Sequence, residues 1–310
     1  MRRIARAAIR PWPAAPMLSA IERAAPRYAR LALRARGAGL PRNVRAFPAR
    51  VAPYLGPEPD AAERARLVEA RLVFFLVRSY VNQFLLVRGT ADERRELGPI
   101  EVDGATYLEA ALAERRGLML ISAHFGLPPL IGLALEERGL EVVSVGGIRA
   151  DRVDVVVGRG VWAAARSMQR VRDALADGQV CVLLIDTPRG RYMEPPFLQG
   201  QIPVAAGAFR LAQLTRSPLL PVFAVHTGAR PRFRVEIGPP LLVPDGPRTS
   251  PSAEALNGFI QSYEAIARRH PAQLFGYERV FSSSRSRSRS EKRGPRSGAA
   301  PEPRSRNARP

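Results

Sequence analysis

Residues 117–135 read GLMLISAHFGLPPLIGLAL, a stretch of nineteen residues that carries no formal charge and contains a single histidine, His124. An apolar run bounded by Gly and Pro is typical of a central parallel strand, because both faces of such a strand are covered. The stretch predicts a buried strand at 118–123, a tight turn at Phe125-Gly126 and a helix that begins at Pro128-Pro129. Its length would suit a membrane span, but the two prolines, three glycines and one histidine argue against one.

His124 follows the predicted strand directly. In open α/β folds, the ligand crevice forms outside the carboxyl ends of the parallel strands. His124 is therefore a candidate catalytic residue. The alternative is a structural histidine that is held by hydrogen bonds beside the core.

Segments with strand and helix patterns alternate along the rest of the chain. The predicted strands are 141–145, 179–185, 219–225 and 232–237, and the predicted helices include 61–88, 105–116, 161–176 and 204–215. This order predicts an α/β fold with a mainly parallel central sheet flanked by helices, preceded by a helical N-terminal region. In the last strand, apolar residues alternate with polar ones, which predicts an edge strand with one wet face.

The basic residues are concentrated at the two ends of the chain. The formal net charge is +20, and residues 1–60 carry twelve arginines against three acidic residues, whereas residues 282–310 carry nine basic residues against two acidic ones. A folded domain that binds nucleic acid needs a basic face of its own, so nucleic acid is not the predicted partner. Basic flanks suit an anionic membrane surface, where each Lys or Arg contributes about 1 kcal/mol.

These patterns predict three regions. Residues 1–60 form a basic, membrane-associating N-terminal segment, in which an amphipathic helix lies on lipid or is simply solvated, and a connector without periodicity at 41–60. Residues 61–281 form the main folded domain, whose first helix is either buried or half in lipid. Residues 282–310 form an Arg/Ser-rich tail that cannot bury enough apolar surface to fold.

Histidine and cysteine usage limits the possible chemistry further. Cys181 is the only cysteine and lies in an apolar strand, so a disulfide framework and a thiolate metal site are excluded. No cofactor or metal ion is predicted. His226 and His270 have no evident partner in the sequence, and we interpret both as structural or exposed.

Five stretches carry a resemblance to a known family. They are NVRAFP at 43–48, LMLISAHFG at 118–126, DGQVCVLLID at 177–186, PFLQGQIPVAAGAFRLAQLT at 196–215 and PLLPVF at 218–223. In this order, over residues 43–240, they resemble the bacterial lipid A biosynthesis acyltransferases, which are lauroyl or myristoyl transferases of the lysophospholipid acyltransferase superfamily.

The resemblance implies a glycerolipid-acyltransferase-like fold for the domain at 61–281. It implies transfer of a fatty acyl chain from an acyl carrier protein or coenzyme A thioester to a hydroxyl or amine of a glycolipid, such as a lipid A precursor. That reaction would take place at the cytoplasmic face of the bacterial inner membrane. In the family, the histidine of an H-x4-D/E motif is the general base, a role that falls on His124. Phe197 and Gly200 fall in the acceptor or acyl-chain block, and Asp186 matches a recurring acidic residue before it.

The chemistry of acyl transfer requires the same kinds of side chain, independently of the family resemblance. Histidine is the side chain whose ordinary pKa suits proton removal near neutral pH. The developing oxyanion needs donors, which Gly-rich backbone or arginine can supply. A phosphorylated acceptor favours arginine forks, for which the candidates are Arg149, Arg152, Arg189 and Arg191.

One position departs from the family motif. Pro129 stands where the carboxylate that orients the histidine is expected, and in a hydrolase triad losing that function lowers the rate about 10⁴-fold. Three accounts are open. Asp186 or Glu194 reaches His124 in the fold, a backbone carbonyl fixes the histidine tautomer, or the chain is a weak or inactive homologue that acts as a lipid-binding scaffold. A third class of function, RNA binding through the Arg/Ser tail, is not favoured.

Overall fold

A six-stranded sheet forms the centre of the structure, which is a computed structural model describing residues 13–55, 59–87, 94–145, 161–187, 192–243 and 253–274. In spatial order the strands are β1 (Ile100–Asp103), β10 (Phe233–Ile237), β9 (Leu219–His226), β2 (Leu118–Ser122), β4 (Val180–Leu184) and β3 (Val142–Val145). Only the pairing of β10 with β9 is antiparallel. The predicted α/β class and mainly parallel sheet are confirmed.

Helices cover both faces of this sheet and precede it in the chain. In the described ranges they are α1 (Ala14–Arg34), α2 (Arg42–Arg45), α3 (Phe47–Leu55), α4 (Ala61–Val87), α5 (Ala105–Ala113), α6 (Pro129–Glu136), α7 (Val161–Ala176), α8 (Ala206–Thr215) and α9 (Ala253–Arg269). A 3-10 turn at Pro271–Gln273 follows α9. The helical N-terminal region is confirmed.

The period of two along the central strands divides the core into two layers. In β2, Met119 and Ile121 join the cluster that α7, α8 and α9 cover, whereas Leu118 and Leu120 join the cluster that α4, α5 and α6 cover. Cys181 in β4 has no exposed surface, as expected of a core residue, and this burial raises the pKa of its thiol to about 12. Both faces of the central strands are therefore buried, which is why these segments are almost wholly apolar.

The N-terminal helix α1 is part of the folded body. Its alanines at 25, 29 and 32 are buried in one cluster with Val68 and Leu72 of α4, because small residues at helical spacing let two helices approach closely. The apolar side chains of α4 therefore pack partly against α1 and partly against the sheet. Of the two alternatives that the sequence left open for this helix, buried or half in lipid, the packing agrees with the first.

Three details differ from the sequence prediction. The strand β10 keeps its predicted alternation but lies inside the sheet, because the four residues of β1, which were not predicted to form a strand, pair with its outer edge. The 41–60 segment, predicted to be an irregular connector, contains α2 and α3. Residues 187–203, where the sequence has no clear period and predicts an irregular loop, instead contribute to two short strand pairs, β5 (Tyr192–Met193) with β8 (Val204–Ala205) and β6 (Pro196–Phe197) with β7 (Gly200–Gln201).

The apolar stretch at 117–135 folds as strand, turn and helix, as predicted, and not as one long helix. Among the helices of the described ranges, none combines the length and the hydropathy that a bilayer span needs. The predicted Arg/Ser tail at 282–310 lies outside the described residues.

Candidate active site

The register of two parallel strands brings His124 and Asp186 together. Ser122 ends β2 opposite Leu184 of β4, and the Ile185 N–H donates to the Ser122 carbonyl at 2.9 Å. Each strand then continues for two residues to its polar side chain. Because parallel strands run side by side about 4.8 Å apart, residues at equal distances past paired positions are neighbours. The carboxyl edge of the sheet thus places His124 beside Asp186.

Two hydrogen bonds join the pair. Nδ1 of His124 lies 2.7 Å from Oδ1 of Asp186, and the His124 backbone N–H donates to Oδ2 at 2.9 Å. An ionised carboxylate can only accept, so in a neutral ring facing it the hydrogen is on Nδ1 and Nε2 keeps its lone pair. The side chain of His124 is 29% exposed and that of Asp186 is 8% exposed. The arrangement is that of a base oriented by a buried carboxylate.

Aromatic rings of the core pack against the loop that carries His124. Phe125, which is next to His124, packs edge to face against Tyr263 of α9, with ring centroids 5.8 Å apart. On its other side, Tyr263 packs against Phe197, with centroids 4.5 Å apart. Burial, followed by the charge of Asp186, raises the pKa of Tyr263 well above its ordinary value, so its hydroxyl stays neutral. Tyr263 could not be singled out from the sequence, because no local pattern distinguishes it from the other core residues of α9.

Phe197 and Gly200 pair across the short ladder of β6 and β7. The Phe197 side chain has no exposed surface, and it reaches the site through Tyr263 rather than by lining an open crevice. Glu194 lies between β5 and β6 and is half-buried. The carboxylate bonded to His124 is that of Asp186 and not that of Glu194. The four candidate arginines, Arg149, Arg152, Arg189 and Arg191, lie outside the described residues.

A glycine fixes the path of the chain after His124. Gly126 has φ +58°, and a Cβ placed there would lie 1.9 Å from the carbonyl oxygen of Ala224 in β9. Its N–H donates to the carbonyl of Gln273, and the next N–H, that of Leu127, donates to Ala224 at 2.8 Å. The loop is therefore bonded to β9 on one side and, through His124, to Asp186 on the other.

Gly126→Ala is expected to lower the free energy of unfolding by about 3 kcal/mol or more, since left-handed backbone strain and a backbone clash add. Gly139→Ala is the matched control, because Gly139 also has positive φ but no heavy atom lies within 4 Å of its Cβ position. Urea unfolding of both variants would separate the strain from the clash. Equal losses would show that the close approach to Ala224 is unimportant.

His226 has a distant partner that the sequence did not reveal. It ends β9, and its Nε2 lies 2.9 Å from Oε1 of Glu22 in α1. Nε of Arg232 donates to both oxygens of Glu22, at 2.9 and 3.0 Å. The group ties α1 to the sheet edge, which agrees with the structural interpretation of His226.

His226 predicts a loss of stability in acid. Burial lowers its pKa in the folded chain, and this outweighs the raising effect of Glu22. The unfolded chain therefore binds the proton more readily, and the free energy of unfolding falls as the pH drops below about 6.5, the ordinary value. In urea titrations at pH 7 and 5, His226→Asn should lose less stability than the wild type. An equal loss would assign the pH effect to other groups, such as His270.

Within the described ranges, no group of His, Cys, Asp or Glu residues is arranged to hold a metal ion. No protein-family model matches the chain, and no curated protein shows significant similarity to it.

Proposed function

We propose that the chain is an acyltransferase that moves a fatty acyl chain from an acyl carrier protein or coenzyme A thioester to a hydroxyl or amine of a glycolipid or related amphiphile. The observation that carries the proposal is the hydrogen-bonded pair of His124 and Asp186, which lies at the carboxyl edge of the sheet. When the ring is neutral, this pairing leaves the lone pair of Nε2 to accept a proton. A glycerolipid-acyltransferase-like fold and a lipid A precursor as the acceptor belong to the same proposal.

In the proposed reaction, Nε2 of His124 removes the proton from the acceptor hydroxyl as its oxygen attacks the thioester carbonyl carbon. The carboxylate of Asp186 holds the ring and stabilises the imidazolium that forms. When the tetrahedral intermediate collapses, the carbon–sulfur bond breaks and the imidazolium returns the proton to the thiolate. The products are the acylated acceptor and a free thiol.

The Asp186 contact also bears on the departure at Pro129. A carboxylate from a neighbouring strand meets the histidine where the motif carboxylate is missing, and Pro129 is free to begin α6. The first of the three accounts, in which another carboxylate orients the base, is therefore the one we adopt. The scaffold function loses the feature that favoured it.

The proposed location is the cytoplasmic face of the bacterial inner membrane. The exposed residues of α1 include Arg23, Arg27 and Arg34, together with Leu31, which is 62% exposed. Arg30 is also exposed, but it pairs with Glu69 of α4 at 3.9 Å. Arginines interleaved with apolar side chains on one helix face suit the surface of an anionic bilayer.

The proposal is tested by thiol release from a panel of acyl-CoA and acyl carrier protein donors, with lipid products identified by mass spectrometry. The chain suits this assay because its only thiol, Cys181, is buried and has a raised pKa, so it should contribute little background. We expect release that depends on an added lipid acceptor and matches the acylated product in amount. Lipid binding without thiol release from any donor would favour the scaffold function instead.

A further inference from the structure

The turn that follows α9 lies against the loop that carries His124. Phe125 forms an isolated antiparallel bridge with Leu274, and the N–H of Gly126 donates to the carbonyl of Gln273 at 3.1 Å. Both contacts involve the two residues that come directly after the histidine. The position of this stretch of backbone, and with it the direction of the His124 side chain, therefore depends on the turn.

The turn itself is held by a buried arginine. Arg71 of α4 is 2% exposed, and its Nη1 donates to the carbonyl of Ala272 at 2.7 Å and to that of Leu274 at 3.0 Å. One guanidinium nitrogen carries two hydrogens and can make both bonds at once, and a charged donor makes each bond stronger than a neutral donor would. These two carbonyls flank that of Gln273, which accepts from the loop. Arg71 thereby fixes the backbone on both sides of the bond to Gly126.

Aromatic rings hold the guanidinium of Arg71 in place. It lies over the ring of Phe47 of α3, 4.5 Å from the centroid, and over that of Phe74 of α4 at 5.7 Å. A cation over an aromatic face is attracted by the ring, and more strongly where water is excluded. The packing therefore restricts the guanidinium to the orientation in which it meets the turn.

The side chain of Gln273 ties the same turn to β9. Its Oε1 accepts from the backbone N–H of His226 at 3.0 Å, and its Nε2 donates to the His226 carbonyl. These bonds do not involve the carbonyls of Ala272 and Leu274. Loss of Arg71 alone should therefore leave the turn beside the sheet but release the backbone on either side of Gln273.

We propose that Arg71 is a positioning residue of the candidate active site. It fixes the backbone at 272–274, this backbone fixes the loop after His124, and the loop holds the ring where its Nδ1 meets Asp186. Arg71 contacts the turn and not the reacting atoms. The expected effect on the rate rests on the proposed acyl transfer, whereas the effect on the orientation of His124 does not.

The test uses the full chain labelled with ¹⁵N-histidine. The chain has three histidines, so long-range ¹H–¹⁵N spectra contain three ring systems, and His124→Ala identifies the signals of His124. These signals report which ring nitrogen carries the hydrogen. At pH 8, well above the ordinary pKa of histidine, we expect the wild-type His124 ring to carry it on Nδ1, facing Asp186. His226, whose Nε2 faces Glu22, should show the opposite tautomer.

Arg71→Met removes both hydrogen bonds and keeps a long side chain in the same space. We expect the His124 signals to shift toward a mixture of the two tautomers, because the ring no longer stays in contact with Asp186. Thiol release at saturating donor and acceptor should fall about 10- to 100-fold, since displacing a catalytic group by about 1 Å can have an effect of that size. The KM of the donor should change less than about threefold, because a positioning role affects the transition state more than donor binding.

The matched control is Arg232→Met. Arg232 is also buried, at 6% exposed, and it also makes more than one hydrogen bond, but its partner is Glu22 of α1 and not the turn. This variant should lose stability in thermal unfolding, while the His124 tautomer and the rate of thiol release remain those of the wild type. A general loss of stability would act in both variants, whereas positioning predicts a change at His124 in Arg71→Met alone.

Three outcomes would overturn the proposal. They are a folded Arg71→Met variant whose His124 signals match the wild type, equal changes at His124 in the two arginine variants, or a lower rate with an unchanged tautomer. If Arg71→Met does not fold, Arg71→Lys is compared with Arg232→Lys by the same measurements, because lysine keeps the charge but has a shorter side chain without the planar guanidinium. If the wild type releases no thiol from any donor, the acyltransferase proposal fails, and the tautomer of His124 in these variants still decides whether Arg71 positions the ring.

Discussion

Replacing His124 by alanine is expected to lower the rate constant for thioester-dependent acyl transfer by roughly 10²- to 10⁴-fold, the usual contribution of a general base. The reason is that the imidazole is the group placed to remove the proton, with Nδ1 bonded to Asp186 and the ring 29% exposed at the sheet edge. The measurement is initial thiol release at saturating donor and acceptor, with the acylated product quantified in the same samples.

The variant should still fold. The backbone N–H of residue 124 continues to donate to Asp186 after the ring is removed, and the aromatic packing of Phe125 on Tyr263 is untouched. Thermal unfolding followed by circular dichroism checks this. A folded variant with wild-type thiol release would show that His124 is not the base, and the proposed mechanism would be wrong.

Local pattern was sufficient for five of the six strands of the sheet. The apolar runs at β2, β4 and β9 are buried on both faces, so each could be predicted from its own residues. The weak points were elements whose position depends on partners far away in sequence. The strand β1 has only four residues, and its pairing with β10 is a contact across more than a hundred positions that no local period encodes.

The features of the candidate site also divide into those that local sequence predicts and those that it does not. His124 could be predicted because it follows a recognisable strand, and Asp186 could be predicted as a candidate for the same reason. Their contact remained one of three open accounts, because it depends on the register of β2 against β4 across 62 residues. The same limit applies to Glu22 and His226, which are 204 residues apart and meet only because α1 folds back onto the sheet edge.

Asp186→Asn is expected to lower acyl transfer by up to about 10⁴-fold while leaving the fold intact, by analogy with the same change in a hydrolase triad. Asparagine is close to aspartate in size, and its carbonyl oxygen can still accept from the backbone N–H of His124. Its amide would then face Nδ1 as a donor, so the ring hydrogen would move to Nε2 and the lone pair would point away from the acceptor. A wrong tautomer removes the base without removing the histidine, which is why a large effect is expected from an exchange of one atom.

Asp177→Asn is the matched control, because Asp177 is exposed and precedes β4 on the same segment of chain. It should leave thiol release unchanged, so a loss confined to Asp186→Asn reflects the contact with His124 and not the removal of an acid near β4. If Asp186→Asn keeps a rate within a few fold of the wild type, Asp186 does not set the tautomer, and orientation of the ring by Glu194 or by a backbone carbonyl has to be considered again. If Glu194 orients the ring once substrate binds, Glu194→Gln should then lower the rate of acyl transfer. If neither Asp186→Asn nor Glu194→Gln lowers the rate, a backbone carbonyl remains as the orienting group.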